Sequence, residues 1–313
     1  MIKWLAWIIA CLLVIIICLY LFLPGNISID RKLDATINLK TLQRGLLDEN
    51  TWKQWWPGKT VDANGSTLFE YNGSIYSISD KQLSTITLSV KKDNFSTTAA
   101  INFIPRDEIH VIISGHINED LPALPVSRIR AYLNSKTLSN DLGDILERIR
   151  QFYSNNDHIY GIHIEKALVR DSSLISTSGI SKGYPNPPFI YKMINDLKAY
   201  ALLHQAKQTD YPMLNVYTQD SINFLTRVAL PLDKKLPSSG KIEYKWMLGG
   251  GNILVTEVKG GPGKINEAIH QVENYITDYN RTPPAISFQS LVTDRVKEPD
   301  STKWITKLYY PVM

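Results

Sequence analysis

Two stretches decide the fold of the second half of this chain: Asp220–Leu232, DSINFLTRVALPL, and Asp300–Val312, DSTKWITKLYYPV. Matched positions lie 80 residues apart throughout (300 − 220 = 80, 311 − 231 = 80). They share Asp-Ser, an aromatic, an aliphatic, Thr, a basic residue and a closing Pro-aliphatic pair. So long a pattern at one fixed offset reads as a duplicated unit, not as two similar strands. Upstream, Ser173–Gly183 (SLISTSGISKG) and Asn252–Gly261 (NILVTEVKGG) correspond at nearly the same offset, and each precedes a helix-like stretch. In the first, Ile190, Met193, Ile194, Leu197 and Ala201 form one face after Pro187-Pro188. In the second, Ile265, Ile269, Val272, Ile276 and Tyr279 recur at 4, 3, 4 and 3 behind the turn-forming loop Lys259–Gly263. The expectation is strand, helix, strand, strand, twice over, across about residues 160–235 and 240–313, with a cleft at the seam.

Outward from this pair, a chain of 313 residues with 44% hydrophobic and 20% charged content has enough apolar material for about two domains. The net charge of +4 is small for that length and no basic cluster stands out, so direct nucleic-acid binding is not expected. Both cysteines, Cys11 and Cys18, lie in the apolar N-terminal run, which leaves the rest without a disulfide framework or thiolate metal site.

Trp4–Leu23 carries no charge over about 20 residues, enough to span a hydrocarbon core of about 30 Å. Trp4, Trp7 and Tyr20 sit toward its ends, and Pro24-Gly25 stops it. A cleaved signal peptide would be shorter and would end in a small-residue cleavage site, so the expectation is a single-pass N-terminal anchor, with the side of the soluble part left open by Lys3, Arg31 and Lys32.

Ile27–Leu39 alternates as a half-buried strand, and a helix-like segment follows over Lys40–Gln54. Four strand-like segments come next, separated by Asn-Gly, Lys-Asp-Asn and Pro-Arg-Asp turn signals. A long helix over Ser139–Asn155 closes the run with Leu142, Ile145, Leu146, Ile149, Phe152 and Tyr153 on one stripe, and Asn156-Asp157-His158 reads as a linker. This order, with W-x-x-W-W-P at Trp52–Pro57, resembles the START-like superfamily of polyketide cyclases and lipid-transport proteins over residues 27–155. The resemblance implies an α+β helix-grip fold whose cavity, or whose helix end, the Trp52, Trp55 and Trp56 cluster would cover.

Residues 160–313 are similar to the GyrI-like family, the effector-binding domains of AraC-type and multidrug-sensing regulators. The likeness is carried by Val255–Asn280, by Thr293–Val312 and by the duplication. It implies two packed modules with a ligand cleft between their helices and strands. The family's last strand commonly reads Thr-Glu-Ile-Tyr-x-Pro, with a glutamate that meets cationic ligands. This chain has Thr306-Lys307-Leu308-Tyr309-Tyr310-Pro311, so cation binding at that position is not expected, nor is hydrolase chemistry through it.

Strand alternation puts Lys307 and Tyr309 on one face, with Arg227 as the repeat partner of Lys307. Two readings stand side by side. If that face lines the cleft, two cations favour an anionic ligand; otherwise they are solvated or paired with Glu257 or Glu273. Tyr217, Trp246, Tyr275 and Phe288 are candidate aromatic walls, or core. No zincin, nucleophile-elbow, phosphate-loop or dinucleotide signature occurs, and the six histidines lack metal spacing, so neither cofactor nor metal is expected.

The sequence points to a membrane-anchored, small-molecule-binding protein for an amphipathic or lipid-like, possibly anionic, ligand. A hydrolase or cyclase acting on a small hydrophobic substrate through Glu257, Glu273 or Tyr309 is one alternative, and an interaction scaffold with filled cores is another.

Overall fold

The computed structural model describes residues 20–63, 66–93, 95–170 and 172–313, together with Trp4, Trp7, Cys11, Val14, Ile16 and Ile17. The proposed membrane span thus lies largely outside the described residues. Among those that are described, no helix is long and apolar enough to cross a membrane. The chain divides into two compact units, Met1–Asn155 and Asn156–Met313. Both are mixed α+β with one antiparallel sheet each.

In the first unit the elements are β1 (Asn26–Thr36), α1 (Leu39–Leu47), α2 (Glu49–Trp55), β2 (Lys59–Ala63), β3 (Ser66–Tyr71), β4 (Ser74–Lys81), β5 (Thr85–Lys92), β6 (Phe95–Pro105), β7 (His110–Asp120) and α3 (Pro125–Tyr153). The sheet order is β1-β7-β6-β5-β4-β3-β2. Where one helix was expected over Lys40–Gln54 there are two. Asp48 is extended between them and its carboxylate accepts from the Asn50 amide at 3.0 Å, so it caps α2 instead of continuing α1. Helix α3 begins at Pro125, well before the expected Ser139, with proline at its first position where no amide partner is needed. Of the predicted stripe, Leu142, Ile145, Leu146, Ile149 and Tyr153 are buried, against inward residues such as Ile113 and Ile117 of the sheet, while Phe152 is only half-buried.

The tryptophan cluster is part of the core. Trp52, Trp55 and Trp56 are all buried, and Trp52 and Trp56 pack on Phe69 at ring distances of 5.3 and 5.1 Å. The Trp52 indole N–H donates to the Leu46 carbonyl at 2.9 Å, satisfying a carbonyl at the end of α1. The expected Asn-Gly turn is a two-residue hairpin between β3 and β4, with Asn72 at φ 47° and Gly73 at φ 76°.

The second unit contains α4 (Asn156–Tyr160), β8 (Glu165–Leu168), β9 (Ser172–Lys182), α5 (Pro187–Leu203), β10 (Met213–Thr218), β11 (Asn223–Leu232), β12 (Glu243–Met247), β13 (Asn252–Lys259), α6 (Pro262–Asp278), β14 (Phe288–Leu291) and β15 (Ile305–Pro311). The sheet order is β12-β9-β11-β10-β14-β15-β13-β8. Repeated strand-helix-strand-strand units (β9-α5-β10-β11 and β13-α6-β14-β15) meet where β10 pairs antiparallel with β14. Each half carries one strand beyond the expectation: β12 beside β9, and β8 beside β13. The segment expected as a linker is helix α4, which packs on α6; the Tyr160 hydroxyl donates to Asp278 at 2.7 Å. Each helix covers its own repeat. Ile190, Ile194 and Leu197 pack on Ile175, Val228 and Leu230, while Ile265 and Val272 pack on Leu254 and Leu308.

Candidate functional site

A cavity of about 940 Å³ opens in the second unit on the sheet face that the helices leave free. Alternation along β11 explains why. Thr226, Val228 and Leu230 are buried toward α5, so Arg227 and Ala229 project to the other side. Cross-strand register then sets Ser178 and Asn215 on either side of Arg227, and Ser176 and Met213 on either side of Ala229. These residues form the floor. The walls come from β12 and the turns before and after it (Lys241, Trp246, Leu248, Gly250), from Ala285 to Phe288 and from Met313. The position differs from the cleft between helices and strands that the family resemblance implied. It straddles the β10–β14 seam but leans toward the first repeat.

Arg227 is the charged centre of the floor. Its Nη1 donates to the Asn215 side-chain oxygen at 3.1 Å, and among the described residues it has no carboxylate partner. Asn215 is itself fixed, donating its amide to the Ser287 carbonyl at 2.9 Å. The guanidinium is therefore held from one side by a neutral acceptor, with donors to spare for a ligand. Lys241 adds a second cation to the wall. Glu243, the acidic residue of the lining, is bonded to Lys245 at 2.7 Å, which holds its carboxyl below the usual glutamate range.

Of the residues expected from the sequence, Arg227, Trp246 and Phe288 line this cavity. Lys307 does not. It lies on the same sheet face, but β10 and β14 intervene between its strand and that of Arg227, a separation of roughly 14 Å at ordinary strand spacing. Its ammonium sits 3.6 Å from Glu257, directly across from it on β13, and both are substantially exposed. Each of the two readings took both cations together; the structure pairs Lys307 with Glu257 and sets Arg227 in the cavity lining. Tyr309 stacks on Phe288 with centroids 4.9 Å apart and planes 9° from parallel, one step beyond the lining; burial pushes its phenol up, against the pull of Lys307. Tyr217 is exposed at the far end of β10. Tyr275 belongs to the core beneath α6, with its ring 5.4 Å from Tyr160, and burial raises its pKa. Glu273 lies on the outer side of α6 beside His270 at 3.5 Å, both exposed.

Sequence reasoning passed over Asn215, Lys241 and the serines of β9. Asn215 left a trace, a polar residue inside the apolar run Met213–Val216, but its role needs the register that places it across from Arg227. Lys241 left none in its polar loop. No group of three or more metal-ligating side chains occurs among the described residues.

No family model matches the chain and no curated protein matches it. Solved structures similar to it include the C-terminal domain of EcmrR, 13% identical over 49% of this chain and 98% of that one, with a TM-score of 0.42. SAV2435 bound to tetraphenylphosphonium is 15% identical over 49% of this chain and 94% of that one, with a TM-score of 0.33. A hydrolase encoded by lin2189 from Listeria innocua is 11% identical over 49% of this chain and 92% of that one, with a TM-score of 0.39.

Proposed function

We propose that the second unit binds a small anionic amphiphile, with its acidic group at Arg227 and its apolar body along Met213, Trp246 and Phe288. The observation that carries this reading is the cavity itself. Its volume suits a small-molecule ligand, its walls are mostly apolar, and its floor presents a guanidinium that meets no carboxylate among the described residues. A charge-assisted bond to Arg227 would orient the head, and burial of the tail would supply most of the affinity. The uncharged run Trp4–Leu23 supports a membrane-tethered protein, which would sample such a ligand where it partitions. The element order of the first unit, with its closing long helix, supports a START-like domain over residues 27–155, and the paired repeats support a GyrI-like domain over residues 160–313.

The test is titration of the full chain in a non-ionic detergent with dodecanoate, dodecyltrimethylammonium and tetraphenylphosphonium, followed by calorimetry. Dodecanoate is expected to bind and the two cations to bind at least tenfold more weakly. Arg227→Met should cost dodecanoate about 10- to 100-fold, the range of a hydrogen bond to a charged group, while Lys307→Met should change it less than threefold. Equal binding of anion and cations, or an Arg227→Met variant with native affinity, would sink the reading.

A further inference from the structure

The cavity's mouth is built differently from its floor. Four large apolar side chains that line it are also strongly exposed: Trp246 at 58%, Leu248 at 69%, Ile286 at 61% and Met313 at 68%. They come from three separate segments, so their meeting at one opening is not a run of local sequence. Exposed apolar side chains gathered around one cavity mark a surface that something covers. Around it stand Lys235, whose ammonium is 5.5 Å from the Trp246 ring centroid, Lys241 and Lys245, the last bonded to Glu243 at 2.7 Å; against Glu243 and the α-carboxylate of Met313 the local balance is 3 − 2 = +1.

We propose that this rim docks on an anionic lipid surface, setting the cavity mouth against the bilayer. A tryptophan and three aliphatic side chains ringed by lysines match the two layers they would meet. The apolar tips enter the boundary between headgroups and acyl chains, and the ammonium groups stay among lipid phosphates. Trp246 is suited to that depth, with an apolar body and one polar N–H. Each lysine gains from the negative surface potential, so docking depends on lipid charge as well as on lipid. Whatever the cavity holds, the rim makes the same contact. A ligand of the class proposed above would then pass between bilayer and cavity without crossing water.

Because the N-terminal run would hold the chain on any vesicle, the test must report on the rim itself. The full chain carrying Cys11→Ser and Cys18→Ser, with Leu248→Cys labelled by a polarity-sensitive dye, is reconstituted into phosphatidylcholine vesicles with and without phosphatidylglycerol. A second sample carries the dye at Leu202→Cys, 78% exposed on α5 and away from the cavity. The expected result is a blue shift and quenching by spin-labelled lipid at position 248 in anionic vesicles only, and none at 202. Adding Lys235→Ala and Lys241→Ala should lower the docked fraction roughly tenfold or more. No shift at 248, or equal shifts in neutral and anionic vesicles and at 202, would overturn the proposal. So would a shift that follows protein density and ignores lipid charge, which would mean that a second copy covers the rim. Dodecanoate titration of the same samples separates this outcome from failure of the cavity as a ligand site.

Discussion

Arg227 and Lys307 occupy matching places in the two repeats, yet their surroundings make them different groups. Lys307 of β15 faces Glu257 on the neighbouring β13, so its charge is already answered. Arg227 faces Asn215 on one side and Ser178 on the other, and among the described residues it meets no carboxylate. The contrast expected between Arg227→Met and Lys307→Met follows from those neighbours and not from residue type. A second residue-scale consequence concerns Asp141, fully buried on α3, where it accepts from the Asn72 amide at 2.8 Å and the Tyr76 hydroxyl at 3.2 Å. Burial dominates over those bonds and raises its pKa above the ordinary 3.8. A raised carboxylate pKa stabilises the fold fully below the unfolded value, and that contribution is lost as pH climbs from there through the folded value. The unfolding free energy of the wild type relative to Asp141→Asn should therefore fall as pH rises above about 4, as read by urea titrations from there upward. A difference that stays flat would show that Asp141 titrates as it does in water.

At the scale of elements, the first unit depends on how closely α3 lies on its sheet. Gly115 of β7 sits beneath Leu142, and a Cβ added there would stand 2.7 Å from the leucine Cδ1. The backbone of Gly115 is unstrained, so only space is at issue. Gly115→Val is expected to cost about 1–3 kcal/mol by overpacking, measured as a lower urea midpoint. Pairing it with Leu142→Ala should recover part of the loss, and no recovery would place the strain elsewhere. The elements themselves were largely legible. Period-2 runs became strands, the 4-3-4-3 spacing became α6, and Asn72-Gly73 became the hairpin turn. Misreadings fell where side chains compete with the backbone. Asp48 splits an expected helix by capping the next one, and the polar Asn156–His158 segment is helical because Tyr160 anchors it to Asp278. Neither contact is visible in hydropathy.

For the molecule as a whole, each unit has its own interior. The core of the first is built on α3 and the tryptophan cluster, and that of the second on α5 and α6 against their shared sheet. Trp52→Ala removes a fully buried ring and its bond to Leu46, a loss of about 3–5 kcal/mol. Calorimetry of the full chain should show that loss in one transition only, with dodecanoate affinity unchanged; a shift of the whole unfolding profile would mean that the units unfold as one.

By itself the sequence determined the duplication, the alternation along β11 and β15 and the helical stripes, because each depends on spacing along one strand or helix. Only tertiary structure decided which of two matched cations meets a carboxylate, that Tyr275 is core while Phe288 lines a cavity, and that Trp246, Leu248, Ile286 and Met313 share one rim. Those outcomes depend on strand order and register across the eight-stranded sheet, where residues far apart in the chain become neighbours and local hydropathy holds no record of the pairing.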